Sequence, residues 1–346
     1  MPLSHCEVDP VTIMYDFSPQ AVTQQAEILL TELCAAITER EEYVYLLINP
    51  EALPEDVMHP FICALVDLRP VPVTLPHRVL RMDRHPWLIL LNLTQATHYA
   101  LLESSVRHAL EEQHPDRLCN GGGRAVCGWL TSPFDTVVVA KQLGYTAIQR
   151  LISGQQILLR YYDPAIHGIL WTQLDDLQHE RWLGVLSGWH YLNGDGQRVS
   201  HCHSPSPYPY MTFSLMVNSQ DEIHISHTGK IVCVLELYRQ AHINKFRHDE
   251  ATAITIIRRA LKRAQQLHGF EDEADQQALA LDCLRLHPQL DMHPRMMILL
   301  SPRERETGMD YANCVAALSD RDWQRICHDL NTEETNASVS DARSPV

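Results

Sequence analysis

Apolar positions along the chain follow two rhythms, and these divide it into elements. After Ser18 and Pro19, Val22, Ala26, Leu29, Leu30, Leu33 and Ile37 recur at the step of a helix and leave one buried stripe. Ser18 suits the cap and Pro19 the first helical position. The run Tyr43–Ile48 is apolar at every position, which predicts a central strand covered on both faces. Residues 54–65 read as a helix, 71–75 and Trp87–Leu91 as strands, and 94–112 as a long helix capped by Thr94. Residues 119–123 form a loop. A strand over 125–130 follows, then a helix from Ser132 and Pro133 to Leu143, a strand over 157–162, a helix opened by Asp163 and Pro164, and a helix over 174–186. Trp189 to Leu192 leads into a turn at 193–196. Alternating strands and helices predict an α/β N-terminal lobe over 1–196, a mixed sheet flanked by helices.

The pattern changes after Gly196. Residues 197–222 are rich in Pro, Ser and His and read as a linker or arm, with a short strand over 210–217. Residues 223–331 read as a smaller all-α C-terminal lobe. Its strongest helix, 251–268, places Ile254, Ile257, Leu261 and Ala264 on one face and stops at Gly269. Helices over 231–240, 271–286, 295–300, 311–318 and 320–330 complete it. Residues 332–346 are polar without an apolar period, so a disordered tail is expected.

Composition narrows the function. A length of 346 residues suits two lobes. The 28 Lys and Arg against 43 Asp and Glu leave a formal charge of −15, which argues against nucleic-acid backbones and anionic membranes as partners. The first twenty residues lack a basic start followed by an apolar core, and no apolar stretch is long enough to cross a bilayer. The ten cysteines include no CxxC pair. Reduced thiols in a cytoplasmic protein are the expectation.

Candidate chemistry is sparse. His201, Cys202 and His203, with His224 and His227 downstream, are zinc-ligand types. Neighbours on an extended chain point opposite ways, however, and the segment reads as a His-rich linker. Gly121 to Gly123 lacks the ending of a phosphate loop. The adjacent pairs Glu41–Glu42 and Asp175–Asp176 read as solvated surface. No catalytic residue, cofactor or metal is assigned. Arg258, Arg259, Lys262 and Arg263 cluster late on their helix, either complementing its C-terminus or forming a docking face for an acidic partner. The run from Leu158 to Pro164 is the most distinctive. Asp163 can cap the next helix, and Pro164 fits its first position. Strand alternation would put Leu158, Arg160 and Tyr162 on one face and Leu159 and Tyr161 on the other. Arg160 is then either a structural ion pair or a recognition residue.

These pieces occur in a telling order. Gly128 to Pro133 (GWLTSP) is followed by Leu158 to Pro164 (LLRYYDP), then by Trp182, Leu183, Gly184 and Trp189. Upstream lie Tyr43–Ile48 ending at Asn49, where Asp is commoner in the family, and the Pro86-led strand His85 to Leu91. Over roughly residues 40–195 the chain resembles the type VI secretion adaptors, or effector chaperones of the Tap or TEC type. The resemblance implies a non-enzymatic cytoplasmic protein that binds a cognate effector and helps load it onto the VgrG spike. It marks Arg160, Tyr161, Tyr162, Asp163 and Pro164 as family-motif residues, structural or recognising, and leaves the second lobe to tune partner choice. Two other readings stay open: an immunity protein that occludes a toxin, and a metal-dependent enzyme using the 201–203 region.

Overall fold

The structure is a computed structural model, described here for residues 12–65, 68–76, 84–120, 122–205, 213–243, 245–302 and 309–341. It divides into two compact units. One is Met14–Thr228; the other joins Met1–Ile13 to Gly229–Val346. The N-terminal strand β1 (Thr12–Ile13) thus belongs with the C-terminal unit, where it pairs with β10 (Arg247–His248), and not with the lobe that follows it in sequence.

The first unit is built on a six-stranded sheet in the order β3 (Val71–Pro72), β4 (Trp87–Leu91), β2 (Tyr43–Ile48), β5 (Val126–Ser132), β8 (Gly188–Leu192) and β9 (Arg198–Cys202). Each of its strand pairings is antiparallel. Because side chains alternate along a strand, the apolar run of β2 serves both faces. Tyr45 and Leu47 join Leu88, Leu130, Trp189 and Tyr191 in a core with helices α5 (Thr136–Thr146), α6 (Pro164–Trp171) and α7 (Asp176–Leu183). Val44, Leu46 and Ile48 join Ile89, Leu91 and Trp129 beneath α1 (Pro19–Ile37) and α3 (Ala96–Glu111). The flanked sheet expected of the N-terminal lobe is therefore present, and β5 is buried along its whole length. Gly128 lies in β5 beside a register irregularity in the β2 pairing, at φ +151°. A Cβ there would sit 2.6 Å from Trp189 Nε1 and 2.7 Å from the His190 carbonyl.

Several sequence expectations shift. The strand expected over 157–162 ends at Leu158. Here β7 (Gln156–Leu158) pairs only with β6 (Ile148–Arg150), outside the main sheet. The Leu159 N–H then donates to Ala147 and the Asp163 N–H to Arg160, which bends the chain into a turn. Strand alternation accordingly fails: Leu159, Tyr161 and Tyr162 are all buried, and Arg160 is not. Within 197–222, residues Arg198–Cys202 are an edge strand and not a free arm. Its polarity reflects the edge position, and Asn193 Oδ1 closes the preceding turn by accepting from the Asp195 and Gln197 N–H groups. Of the strand expected over 210–217, residues 210–212 lie outside the described residues and 213–217 are irregular. Short helices α2 (Pro60–Leu65) and α4 (Pro115–Cys119) complete this unit.

Helix α8 (Ser219–Ala241) carries the boundary between the units. In the second unit α9 (Glu250–Gln266) buries Ile254, Ile257, Leu261 and Ala264 and ends before Gly269 at φ +63°, where the Phe270 N–H returns to the Ala264 carbonyl. Helices α10 (Glu273–Arg285), α11 (Pro294–Leu299), α12 (Tyr311–Val315) and α13 (Asp320–Asp341) follow. The tail expected over 332–346 is helical as far as Asp341, since a helix already nucleated by packed residues extends without an apolar stripe. Asp291, fully buried, organises the unit. It accepts from Arg263 Nε and Nη2 at 2.7 Å each, from His268 Nε2 at 3.1 Å and from Cys283 Sγ at 3.5 Å. Burial alone would raise its carboxyl, but the hydrogen bonds from His268 and Arg263 outweigh it and hold the group at about 2.

Two predictions follow from these contacts. Gly128→Ala should destabilise the first unit by roughly 2–3 kcal/mol through clash and backbone strain, read by urea unfolding. Asp291 keeps a folded value below its ordinary 3.8, so its stabilisation is full above about pH 5 and is lost as pH falls toward 2. Wild type should therefore lose more stability than Asp291→Asn between about pH 5 and 2 in acid-unfolding scans.

Candidate functional site

The turn from Leu159 to Asp163 is assembled from the inside. Tyr161 is fully buried, its ring edge-on to Trp182 at 4.9 Å and to Trp189 at 5.6 Å, and its hydroxyl donates to the Leu143 carbonyl. Burial pushes both the Tyr161 and Tyr162 hydroxyls up, so neither serves as a proton donor near neutral pH. Asp163 caps α6 through Oδ1, which accepts from the Ala165 N–H at 3.1 Å, with Pro164 at the first helical position. Its Oδ2 lies 3.4 Å from Arg160 Nη2. The Arg160 side chain is 41% exposed, and its Nε has no hydrogen-bond partner. Asp163 and Glu51 are among the charges that act on it, and Glu51 itself pairs with Arg84 at 3.2 Å. Four of the five motif residues thus build the turn, and the guanidinium they hold is the part that reaches solvent. On the Leu159 side a small cavity is lined by Leu170, Leu174, Leu215, Val217, Asp221 and Ile225.

A column of rings lies behind the motif. His179, Trp171, His201 and His167 stack in succession at centroid separations of 4.0, 3.8 and 5.2 Å. Burial holds His167 well below its ordinary value and brings His201 to about 4, so both rings are neutral packing units at physiological pH. His201, expected in a His-rich linker, is therefore part of this packed column. His203 Nε2 meets the Gly184 carbonyl, Cys202 is exposed, and His227 is buried on α8. Among the described residues, the histidines and carboxylates whose ligand atoms converge are different ones: His59, His108 and Glu111, all within 4.8 Å of one another. Next to them Glu112 is 1% exposed and accepts from the Ala125 and Val126 N–H groups and from Arg117. The only trace of this group in the sequence is the helical spacing of His108, Glu111 and Glu112. His59 comes from another element.

Other expected features separate. Arg263 is committed to Asp291 and the Pro288 carbonyl, and Arg258 is half-buried, its charge disfavoured by burial. Arg259 and Lys262 are the exposed members of that cluster, so the four do not form one basic face. The carboxylate pairs read as solvated are partly engaged: Glu42 accepts from Ser187, and Asp175 forms a capping box with Gln178. Gly122 donates to the Arg117 carbonyl, while Gly121 lies outside the described residues. Among the described residues no helix is long and apolar enough to cross a membrane. From the capping geometry, Asp163→Ala should cost about 1 kcal/mol in thermal or urea unfolding, and Arg160→Ala less, because its ion pair is half exposed.

Comparison with known proteins places the motif in a recognised segment. No curated protein and no solved structure matches the chain. Residues 81–181, from ahead of β4 into α7 and including Arg160 to Pro164, match the model of a family described as a domain of unknown function, DUF4123.

Proposed function

We propose that this chain is a non-enzymatic cytoplasmic adaptor that binds a cognate type VI secretion effector and helps place it on the VgrG spike. The supporting observation is that the family match and the motif resemblance fall on the same segment of the chain. The family match over 81–181 brackets the motif by which the sequence resembles such adaptors. In this reading the turn around Tyr161 is a rigid mount. A guanidinium already positioned by Asp163 and the packed tyrosines loses little freedom on meeting a partner carbonyl or carboxylate, which is what makes an arginine an effective anchor. The net charge of −15 favours basic partner segments and mainly speeds and selects the encounter. In the second unit, Arg259 and Lys262 are the exposed members of the α9 cluster available to tune partner choice.

Co-expression with the effector and VgrG encoded beside it should yield a complex that co-purifies through this chain. Failure to recover either would overturn the proposal. Arg160→Glu should weaken effector capture by about tenfold or more with the thermal midpoint little changed. If the chain instead protects cells that express the toxin domain alone, it is an immunity protein.

A further inference from the structure

We propose that His59, His108 and Glu111 form a binding site for a divalent metal ion of the zinc class. The ligand atoms are His59 Nε2, His108 Nδ1 and Glu111 Oε2. Each imidazole nitrogen lies 3.8 Å from that carboxylate oxygen. Tetrahedral zinc with ligands at about 2.0–2.2 Å needs its donor atoms roughly 3.3–3.6 Å apart, so the cluster, whose donor atoms all lie within 4.8 Å of one another, has to contract to hold the ion. Two imidazoles and a carboxylate are a zinc-type donor set, and they leave one position for water or a partner's side chain.

The second observation is the state of His108. This ring is 1% exposed, yet neither of its nitrogens has a hydrogen-bond partner, and Nδ1 is the one that faces Glu111 in the cluster. A buried imidazole nitrogen left without one is costly unless something occupies its lone pair. On the opposite side His108 Nε2 faces Glu112 Oε1 at 3.2 Å. Glu112 is anchored in turn by the Ala125 and Val126 N–H groups and by Arg117. Glu112 lies within reach of an Nε2 proton without yet bonding to it, and once Nδ1 holds a metal the proton on Nε2 would face this carboxylate, the second-layer arrangement that orients metal-bound histidines. Phe61 stacks on His108 at 4.7 Å and His59 meets it edge-on at 4.9 Å, so packing holds the ring in place.

His59 is set differently. Its Nδ1 accepts from the Phe61 N–H at 3.2 Å, which puts the proton on Nε2 in the metal-free protein. When a cation takes Nε2, the ring proton moves to Nδ1 and His59 gives up the Phe61 contact. His59 is only partly buried and Glu111 is exposed, so these two ligands are the ones able to move. The site does not depend on the adaptor reading.

The test uses the full chain, tag-free, stripped with a chelator and titrated with zinc by calorimetry and with cobalt(II) by visible absorption. Saturation by one ion with a tetrahedral cobalt spectrum is expected. His108 is buried and its replacement risks the fold, so the variants are Glu111→Gln and His59→Gln, each checked by circular dichroism. Each should weaken zinc binding by at least about tenfold. No uptake by the wild type, or unchanged uptake in both folded variants, would overturn the site and leave these residues as an ion-pair cluster.

Discussion

Every residue of β5 is buried, and the rest of the first unit is arranged around that fact. A strand covered on both faces has to be apolar at both parities or satisfy its polar atoms internally, and β5 does both. Trp129 fills one face and donates its indole N–H to Ser105. On the other face Gly128, lacking a Cβ, lets the Trp189 ring lie against the strand. At its end Thr131 pairs with Ser187, and Ser132 donates to the Val185 carbonyl. The same buried layer supports the Tyr161 turn, because Trp189 packs on both Gly128 and Tyr161.

The second unit has a different centre. Asp291 gathers the end of α9, the end of α10 and the loop beyond it through bonds from Arg263, His268 and Cys283. A buried charge with this many donors specifies one arrangement of otherwise generic amphipathic helices, since any other packing would leave it unpaired. It also takes Arg263 out of the basic cluster and leaves Arg259 and Lys262 as its surface-exposed members.

In the first unit, polar groups are shared between scaffold and site. Asp163 caps a helix and orients Arg160. Glu112 ties α3 to the start of β5 and faces His108. A residue fixed by structural bonds is a good mount for a neighbour that binds something else, because little freedom remains to be lost.

Much of this was legible in one dimension. The strands Tyr43–Ile48 and Trp87–Leu91, the α9 stripe and its Gly269 stop, and the Asp163–Pro164 helix start all follow from periodicity and capping, which act within a few residues of chain. What the sequence could not decide was set by contacts distant in the chain. Leu159 to Tyr162 read as a strand until the Ala147 carbonyl drew the chain away after Leu158. His201 read as linker chemistry until β8 pairing carried it against Trp171 and His167. The four cations on α9 read as one cluster until Asp291, 28 residues from Arg263, claimed one of them. His59 meets His108 only because α2 packs on α3. Local rules determined where elements begin and which faces are apolar. Tertiary packing decided which polar side chains are consumed by the core and which stay available, because that depends on partners that no local spacing encodes.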